Sequence, residues 1–202
     1  QFITTFESLI KKDTKLSLLL GDIGVFGFRN SIAKYPNRVM NIGILEQSTI
    51  GVASGMSRSG LIPVIHTIAP FLVERAFEQI KIDFGYQNIG CNLVSVGASY
   101  DYASLGCTHH CPADVALLKN IPGMEILTPG HPAEFDSLFR EIYTNGKPSY
   151  FRLSEKSNIK SNKVKFGKAN LLKKGNKITI IAIGPVLDVV LKAAEGEDVD
   201  IL

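Results

Sequence analysis

Largely apolar runs recur along the first hundred residues, and stretches with helical spacing separate them. The runs cover residues 16–20, 38–44, 63–68 and 91–98. A run that is apolar at nearly every position is typical of a strand buried on both faces. Residues 71–82, by contrast, repeat their apolar side chains at helical spacing. Because strands and helices alternate, the sequence predicts an α/β fold with a mostly parallel sheet that helices cover on both faces.

The pattern continues to about residue 155 and then changes. Residues 156–177 contain eight lysines and no acidic residue, which indicates a solvated basic linker. A nucleic-acid patch is the less favoured alternative, because aromatic side chains are not interleaved with the lysines. A new strand–helix–strand pattern occupies residues 178–202 and is too short to bury a core of its own. We therefore predict a domain at 1–155, a linker at 156–177 and the incomplete beginning of a second domain at 178–202.

Charge, cysteine content and hydropathy exclude several classes of protein. The net charge of +3 is too small to indicate binding to nucleic acid or to an acidic membrane. Three cysteines provide no disulfide framework, which favours a reducing compartment. No apolar segment is long enough to cross a bilayer, and the first residues lack the pattern of a signal peptide. These features predict a cytoplasmic protein.

Glu46 stands between a presumed strand and a helix of unusual composition. In that helix Ser48, Gly51 and Gly55 are three or four residues apart and share one face. A glycine inside a helix costs about 1 kcal/mol relative to alanine, so two on one face indicate a close approach of another backbone. Ligands of open α/β sheets bind at the carboxyl ends of strands, where Glu46 is expected. The alternative is a solvated glutamate that the helix dipole stabilises.

A second group of reactive side chains falls in the predicted loop at 99–112. Residues 107–111 read Cys-Thr-His-His-Cys, and thiolate and imidazole are the ligands of zinc. Four ligands within five residues strain a tetrahedral site, so a metal is disfavoured. A histidine that acts as a general acid or base is a better interpretation than a zinc ligand, because the pKa of histidine is near neutrality. An inert loop histidine remains possible at this point.

Several motifs resemble, in the same order, the pyrimidine-binding domain of the transketolase family. The resemblance covers about residues 3–155 and rests on NIGILEQ at 41–47, GVASG at 51–55, RAFEQI at 75–80, GCTHH at 106–110 and IPGMEILTP at 121–129. Residues 166–169 and 178–184 resemble the start of the family's C-terminal domain. A chain that begins near the first helix is similar to the C-terminal subunit of split transketolases.

The resemblance implies thiamine diphosphate as the cofactor and a two-carbon ketol transfer from a ketose to an aldose. Glu46 would hydrogen-bond N1′ of the aminopyrimidine and favour the tautomer that takes the proton from C2. His109 would act near the reacting centre. The other cofactor-binding residues implied are Asp22, Ile68 and Phe71. The substrate-binding residues implied are His66, His109 and Arg152.

The sequence departs from the family where the substrate is expected. Gly97 stands where a substrate-side histidine is common, and Ser104 and Leu105 replace an acidic pair. Ile68 replaces the first aromatic residue of the pyrimidine pocket, and Glu155 replaces a basic residue that binds the substrate's phosphate. Cofactor activation therefore transfers to this chain better than donor recognition does. A non-standard sugar is the expected substrate.

The resemblance also implies a partner. In the family a G-D-G motif followed by an asparagine holds the diphosphate through Mg²⁺ on a separate domain, and residues 21–24, Gly-Asp-Ile-Gly, do not match it. We expect an N-terminal subunit or domain to supply this anchor and a homodimer or heterotetramer to form. The alternatives are an enzyme similar to deoxyxylulose-phosphate synthase or to the 2-oxo acid dehydrogenase β-subunit, and a non-catalytic homologue.

Overall fold

The computed structural model describes all residues from Gln1 to Leu202. Its main element is a six-stranded parallel sheet with the strand order β2-β1-β3-β4-β6-β5. The strands are β1 (Leu16–Leu20), β2 (Val39–Asn41), β3 (Ile62–Ile68), β4 (Cys91–Val96), β5 (Glu125–Leu127) and β6 (Pro148–Arg152). The predicted parallel α/β sheet is confirmed, although β2 ends three residues earlier than expected.

Helices bury one face of this sheet in a continuous apolar core. They are α3 (Glu46–Arg58), α4 (Ala69–Leu72), α5 (Phe77–Gln79), a π-helix (Ile80–Tyr86) and α6 (Asp114–Leu118). Leu19 and Leu93 of the sheet meet Ile50 of α3 and Phe84 of the π-helix in this core. Because alternate strand residues point to opposite faces, Leu18 and Leu20 face the other side, and both are fully buried. Burial on both faces explains why β1 is apolar at almost every position.

Two further helices, α1 (Phe2–Ile10) and α2 (Val25–Lys34), pack together. The ring of Phe6 meets the ring of Phe28 edge to face at 5.7 Å, and both residues are fully buried. The Ser31 hydroxyl donates to the Glu7 carboxylate at 2.7 Å. These contacts fix the middle of α2 against α1.

Residues 71–82, predicted as one helix, form two short helices and part of a π-helix. The chain turns at 73–76, where the amide groups of Glu74 and Arg75 both donate to the carbonyl of Pro70. A π-helix begins at Ile80, and its Gly85 lies so near Ile121 that a Cβ would stand 2.4 Å from that side chain. The apolar spacing is therefore right for a buried face, whereas the helix geometry follows tertiary contacts.

Residues 3–127 and 143–155 form one compact unit, and residues 1–2, 128–142 and 156–202 form another. The second unit contains α7 (Pro132–Ile142), β7 (Ile178–Ile180), α8 (Leu187–Ala193) and β8 (Val199–Ile201), with β7 parallel to β8. Residues 156–177 form no helix or strand, but their backbone hydrogen-bonds to Glu134 and Glu141 of α7. The domain boundaries at 155 and 177 stay a prediction. None of the helices has the length and apolar character needed to cross a membrane.

Candidate functional site

The carboxyl ends of β1, β2, β3, β4 and β6 meet at one edge of the sheet. Leu20 pairs with both Asn41 and His66, and Ser95 pairs with Arg152, so the strand ends are nearly level. The predicted site residues that end or follow these strands are Asp22, Glu46, His66, Ile68 and Arg152. The fold therefore brings most of the predicted residues to the edge where ligands of such sheets bind.

The first element of the site is the carboxylate of Glu46. Glu46 is the first residue of α3 and is 5% exposed, so it is not the solvated helix-end glutamate considered as the alternative. Its Oε1 atom accepts a hydrogen bond from Nη1 of Arg75 at 3.0 Å, whereas Oε2 has no partner within the chain. A buried carboxylate with one open acceptor atom is suited to bind a donor group of a ligand.

A row of neighbouring side chains leads from this carboxylate into the loop after β4. The guanidinium of Arg75 lies over the ring of Phe71 at 4.2 Å from the centroid. Phe71 meets the ring of His109 edge to face at 5.2 Å, and Tyr102 meets His109 at 6.4 Å. The structure thus brings Glu46, Phe71 and His109, which the sequence analysis predicted separately, into one site. We call this series of side chains the Glu46–Tyr102 row.

Asp22 lies in the turn after β1 in a conformation that L residues rarely adopt, with φ of 58°. Asn41 fixes it at two points: its Oδ1 accepts from the Asp22 amide, and its Nδ2 donates to the Asp22 carboxylate, both at 3.0 Å. The same Oδ1 accepts from the amide of Gly43 at 3.2 Å. Asn41 therefore joins the Asp22 turn to the segment that leads into α3, a role that the local sequence does not reveal.

His66 is buried within β3, and its Nδ1 hydrogen-bonds to the carbonyl of Val94 at 2.9 Å. Burial lowers the pKa of His66 to about 4, and this hydrogen bond offsets the shift only in part. The imidazole is therefore neutral at pH 7. It lies next to Gly24, where a Cβ would be 3.3 Å from Nε2. The predicted role of His66 in binding substrate remains untested.

The guanidinium of Arg152 makes hydrogen bonds to two side chains of the same chain. Its Nε donates to Oδ2 of Asp114 at 2.7 Å, and its Nη2 donates to the Ser99 hydroxyl at 2.6 Å. Asp114 is fully buried and also accepts from the Tyr150 hydroxyl at 2.8 Å. Burial and the Asp114 carboxylate raise the pKa of Tyr150, which keeps this hydroxyl a donor. These contacts give Arg152 a role in positioning the segment around Ser99, and the substrate-binding role that the resemblance implies stays a prediction.

The loop that carries His109 is closed at its base by a bridge between Ser99 and Cys111. The amide of Cys111 donates to the carbonyl of Ser99 at 2.8 Å, and Arg152 binds the Ser99 hydroxyl. His109 lies in a short 3₁₀ turn, where its Nδ1 is 3.0 Å from the Thr108 hydroxyl. The loop is thus fixed at its base and presents His109 from a turn.

The cysteines of this loop differ in environment. Cys107 is exposed, whereas Cys111 is buried with its thiol 3.6 Å from the Glu74 carboxylate. Burial and the nearby carboxylates of Asp114 and Glu74 raise the pKa of Cys111, which keeps it a thiol. The chain has no group of three or more His, Cys, Asp or Glu side chains that could hold a metal ion.

The residues present fit one half of thiamine diphosphate. Glu46 offers an open carboxylate oxygen, and Phe71 offers a half-exposed ring, which together suit a flat heterocycle with a protonated nitrogen. Arg75 and Tyr102 also belong to the row and were not predicted as site residues. Arg75 stands in a motif that was quoted for the family. Tyr102 is recognisable as a site residue only from its contact with Gly97, and the sequence does not show that contact.

The chain is similar to known proteins along its whole length. The profile of the family described as "Transketolase, pyrimidine binding domain" matches residues 2–160. The "Uncharacterized 33.6 kDa protein in fasciation locus" of Rhodococcoides fascians is 39% identical over 201 residues, which are 100% of this chain and 64% of that protein. One subunit of the apulose-4-phosphate transketolase of Actinobacillus succinogenes is 33% identical over 172 residues, 81% of this chain and 55% of that protein.

A solved structure agrees with this relationship. It is described as "Split gene transketolase, inactive beta4 tetramer", and it matches 99% of this chain and 68% of its own with a TM-score of 0.83 and 28% identity. The chain spans less than two thirds of the two curated relatives. The profile nevertheless covers well over half of the chain, including β1 to β6 and the Glu46–Tyr102 row. The chain belongs to the transketolase family, whose pyrimidine-binding domain forms its parallel sheet.

Proposed function

We propose that this chain is the pyrimidine-binding part of an enzyme that transfers a two-carbon ketol unit from a ketose to an aldose. The observation that carries the proposal is the buried Glu46 carboxylate with one open oxygen at the carboxyl edge of a parallel sheet. Its partner Arg75 is 40% exposed, so the ion pair alone does not account for burying an acid at this position. The relatives named as transketolase subunits support the same reaction class.

Glu46 would hold the aminopyrimidine by a hydrogen bond to its ring nitrogen and would control the protonation of that ring. Thiamine diphosphate, when bound, supplies the electron sink for breaking the C–C bond beside the ketose carbonyl. Phe71 would pack against the heterocycle, and Arg75 orients the Glu46 carboxylate through its 3.0 Å contact. His109, next to Phe71, exchanges protons with the hydroxyls of the sugar as the bond breaks and forms.

A partner completes the site. The exposed side of α3 carries Gly51 and Gly55; a Cβ at Gly55 would meet nothing within 4 Å, and one at Gly51 only a carboxylate oxygen at 3.9 Å. Nearby Ile44 and Leu45 are 65% and 56% exposed. We infer that this surface receives a diphosphate-binding subunit or domain, which brings the Mg²⁺ anchor. A dimer or heterotetramer built on it gives paired sites.

Product analysis tests the proposed reaction. The full-length protein is reconstituted with its diphosphate-binding partner, thiamine diphosphate and Mg²⁺, and is given a ketose or a 2-oxo acid as donor with an aldose acceptor. We expect a ketose two carbons longer than the acceptor and no release of CO₂. Products formed only from the 2-oxo acid with CO₂ release would instead assign the chain to a decarboxylating relative of the family.

A further inference from the structure

Gly97 directly follows β4, and the ring of Tyr102 occupies the space where a side chain at position 97 would stand. Its φ is 74°, and a Cβ built there would lie 2.4 Å from Cε2 and 2.5 Å from Cδ2 of Tyr102. The same Cβ would lie 3.2 Å from Ile68 at the end of β3. The ring of Tyr102 therefore rests directly on the backbone of Gly97, beside Ile68. Only glycine leaves this space free, so positions 97 and 102 act as a pair.

Two carboxylates belong to the chain segments next to Tyr102. Asp101 precedes it and accepts hydrogen bonds from the Ser154 hydroxyl and from the Glu155 amide, both at 3.0 Å. Burial, followed by the charges of Glu155 and Asp101, raises the pKa of the half-buried Tyr102. The Tyr102 hydroxyl makes no hydrogen bond within the chain, and the Glu155 carboxylate is exposed and unpaired. A neutral phenol and acidic groups thus lie at the end of the row remote from Glu46.

The arginine in this region does not offset that charge. The guanidinium of Arg152 is directed to the buried Asp114 and to Ser99, and its side chain is 14% exposed. An anionic group placed at Tyr102 would meet Asp101 and Glu155 without a free guanidinium in reach. Repulsion between like charges costs binding free energy even where solvent weakens it.

We propose that Tyr102, resting on Gly97, is the specificity-determining residue for the end of the sugar remote from the reacting carbon, and that this end is uncharged. The inference rests on the proposed function, because it takes His109 to be at the reacting carbon. Tyr102 follows His109 in the row at 6.4 Å, and its free hydroxyl is placed to hydrogen-bond a hydroxyl or ether oxygen of the sugar. The relative named for apulose 4-phosphate acts on a phosphorylated sugar, so this chain is expected to differ from it.

The test compares donors that differ only in charge at their last carbon. Ketoses with five to seven carbons are supplied to the reconstituted full-length enzyme either as the terminal phosphate or as the terminal O-methyl ether. Blocking the last oxygen in both donors keeps their ring forms alike. For the wild type we expect kcat/KM for the methyl ether to exceed that for the phosphate by roughly tenfold or more, since two carboxylates repel the phosphate.

Substitutions test whether Glu155 and Tyr102 cause the preference for the uncharged donor. Glu155→Arg should move the ratio at least about tenfold toward the phosphate. Tyr102→Phe keeps the ring on Gly97 and should raise KM for the methyl ether by roughly three- to tenfold, the worth of one hydrogen bond, with unchanged affinity for thiamine diphosphate. Tyr100→Phe is the matched control on the same loop, since Tyr100 is 58% exposed and packs on His110, and it should change neither value.

The outcomes separate the two proposals. Turnover with a preference for the phosphates, for example through Lys156, would overturn this inference and leave the proposed function intact. Equal losses in Tyr102→Phe and Tyr100→Phe would also overturn it. No cofactor-dependent turnover of any donor would overturn the proposed function and, with it, the inference that rests on it.

Discussion

The two ends of the Glu46–Tyr102 row are built in different ways. Glu46 starts a helix that packs on the sheet, is 5% exposed and is fixed by Arg75. Tyr102 and His109 stand on a loop that leaves the sheet at Gly97 and returns at Cys111, and this loop is held at its base by the bridge to Ser99. Three of the departures from the family, at Gly97, Ser104 and Leu105, fall in this loop, although His109 itself belongs to a matching motif.

In the proposed function, this difference corresponds to two tasks, control of the cofactor and recognition of the sugar. A group that controls one proton of a cofactor needs a fixed position, which a helix terminus on a buried sheet provides. Recognition of a sugar tolerates change, and loops accept substitutions that strands do not. We therefore expect changes at Glu46 to abolish the reaction, and changes in the loop to alter which sugar is used.

The largest effect is expected at Glu46. In the reconstituted enzyme, Glu46→Ala should lower kcat by about a hundredfold to ten-thousandfold, the usual range for a lost acid–base group. The melting temperature of the isolated chain should change little, because the partner Arg75 is 40% exposed and water can solvate its charge when Glu46 is removed. Glu46→Gln is the control that keeps the volume and the contact to Arg75. Near wild-type turnover in Glu46→Ala would show that the carboxylate has another role.

The next largest effect concerns the base of the loop. Arg152→Gln leaves the fully buried Asp114 carboxylate without its cation, which should cost about 3 kcal/mol of unfolding free energy. Urea unfolding of the isolated chain measures it. Arg140→Gln is the matched control, because its pair with Asp136 is solvent-exposed and should be worth below about 1 kcal/mol. Equal losses in the two variants would contradict the role given to Asp114.

His109→Asn should lower kcat by about a hundredfold while the affinity for thiamine diphosphate stays within about twofold. The reason is that His109 stands beyond Phe71, away from Glu46. His110→Asn is the control, because that neighbour packs on Tyr100. A normal kcat with weakened cofactor binding in His109→Asn would move this residue from the sugar to the cofactor.

The smallest effect is a pH dependence at His66. Its pKa is near 4 when folded and 6.5 when unfolded, so the unfolded chain binds the extra proton between these values. The contribution of His66 to stability is fully present above pH 6.5 and should fall by about 2 kcal/mol between pH 7 and pH 5. His66→Gln, which keeps a donor for the Val94 carbonyl, should lose that part of the slope. An unchanged slope in the variant would show that His66 is not buried in the neutral form.

Much of the sheet was predictable, because its cause is local. The apolar runs of β1, β3 and β4 follow from burial on both faces, and Glu46 was expected at a strand end from the residues beside it. The helix at 71–82 was predicted wrongly as a single helix, since the turn and the π-helix depend on contacts such as Gly85 with Ile121. Periodicity reports which side of a segment is buried, but not its pitch.

The arrangement of the site was only partly predictable. Phe71 and His109 were chosen separately from motifs, and their contact appears only in the fold. The partners that set their chemistry lie far apart in the sequence: Arg75 is 29 residues from Glu46, and Asp114 is 38 residues from Arg152. Such pairs leave no local pattern, which is why the contacts of Arg75 and Arg152 within the chain could not be predicted.

The central claim is that this chain carries the half of the site that activates the cofactor and that a partner carries the diphosphate anchor. Titration calorimetry with thiamine diphosphate and Mg²⁺ tests it most directly, on the isolated chain and on the chain reconstituted with its diphosphate-binding partner. We expect no measurable binding to the isolated chain, binding to the reconstituted pair, and weaker binding when Gly55→Leu blocks the exposed face of α3. Micromolar binding and turnover by the isolated chain would contradict the account.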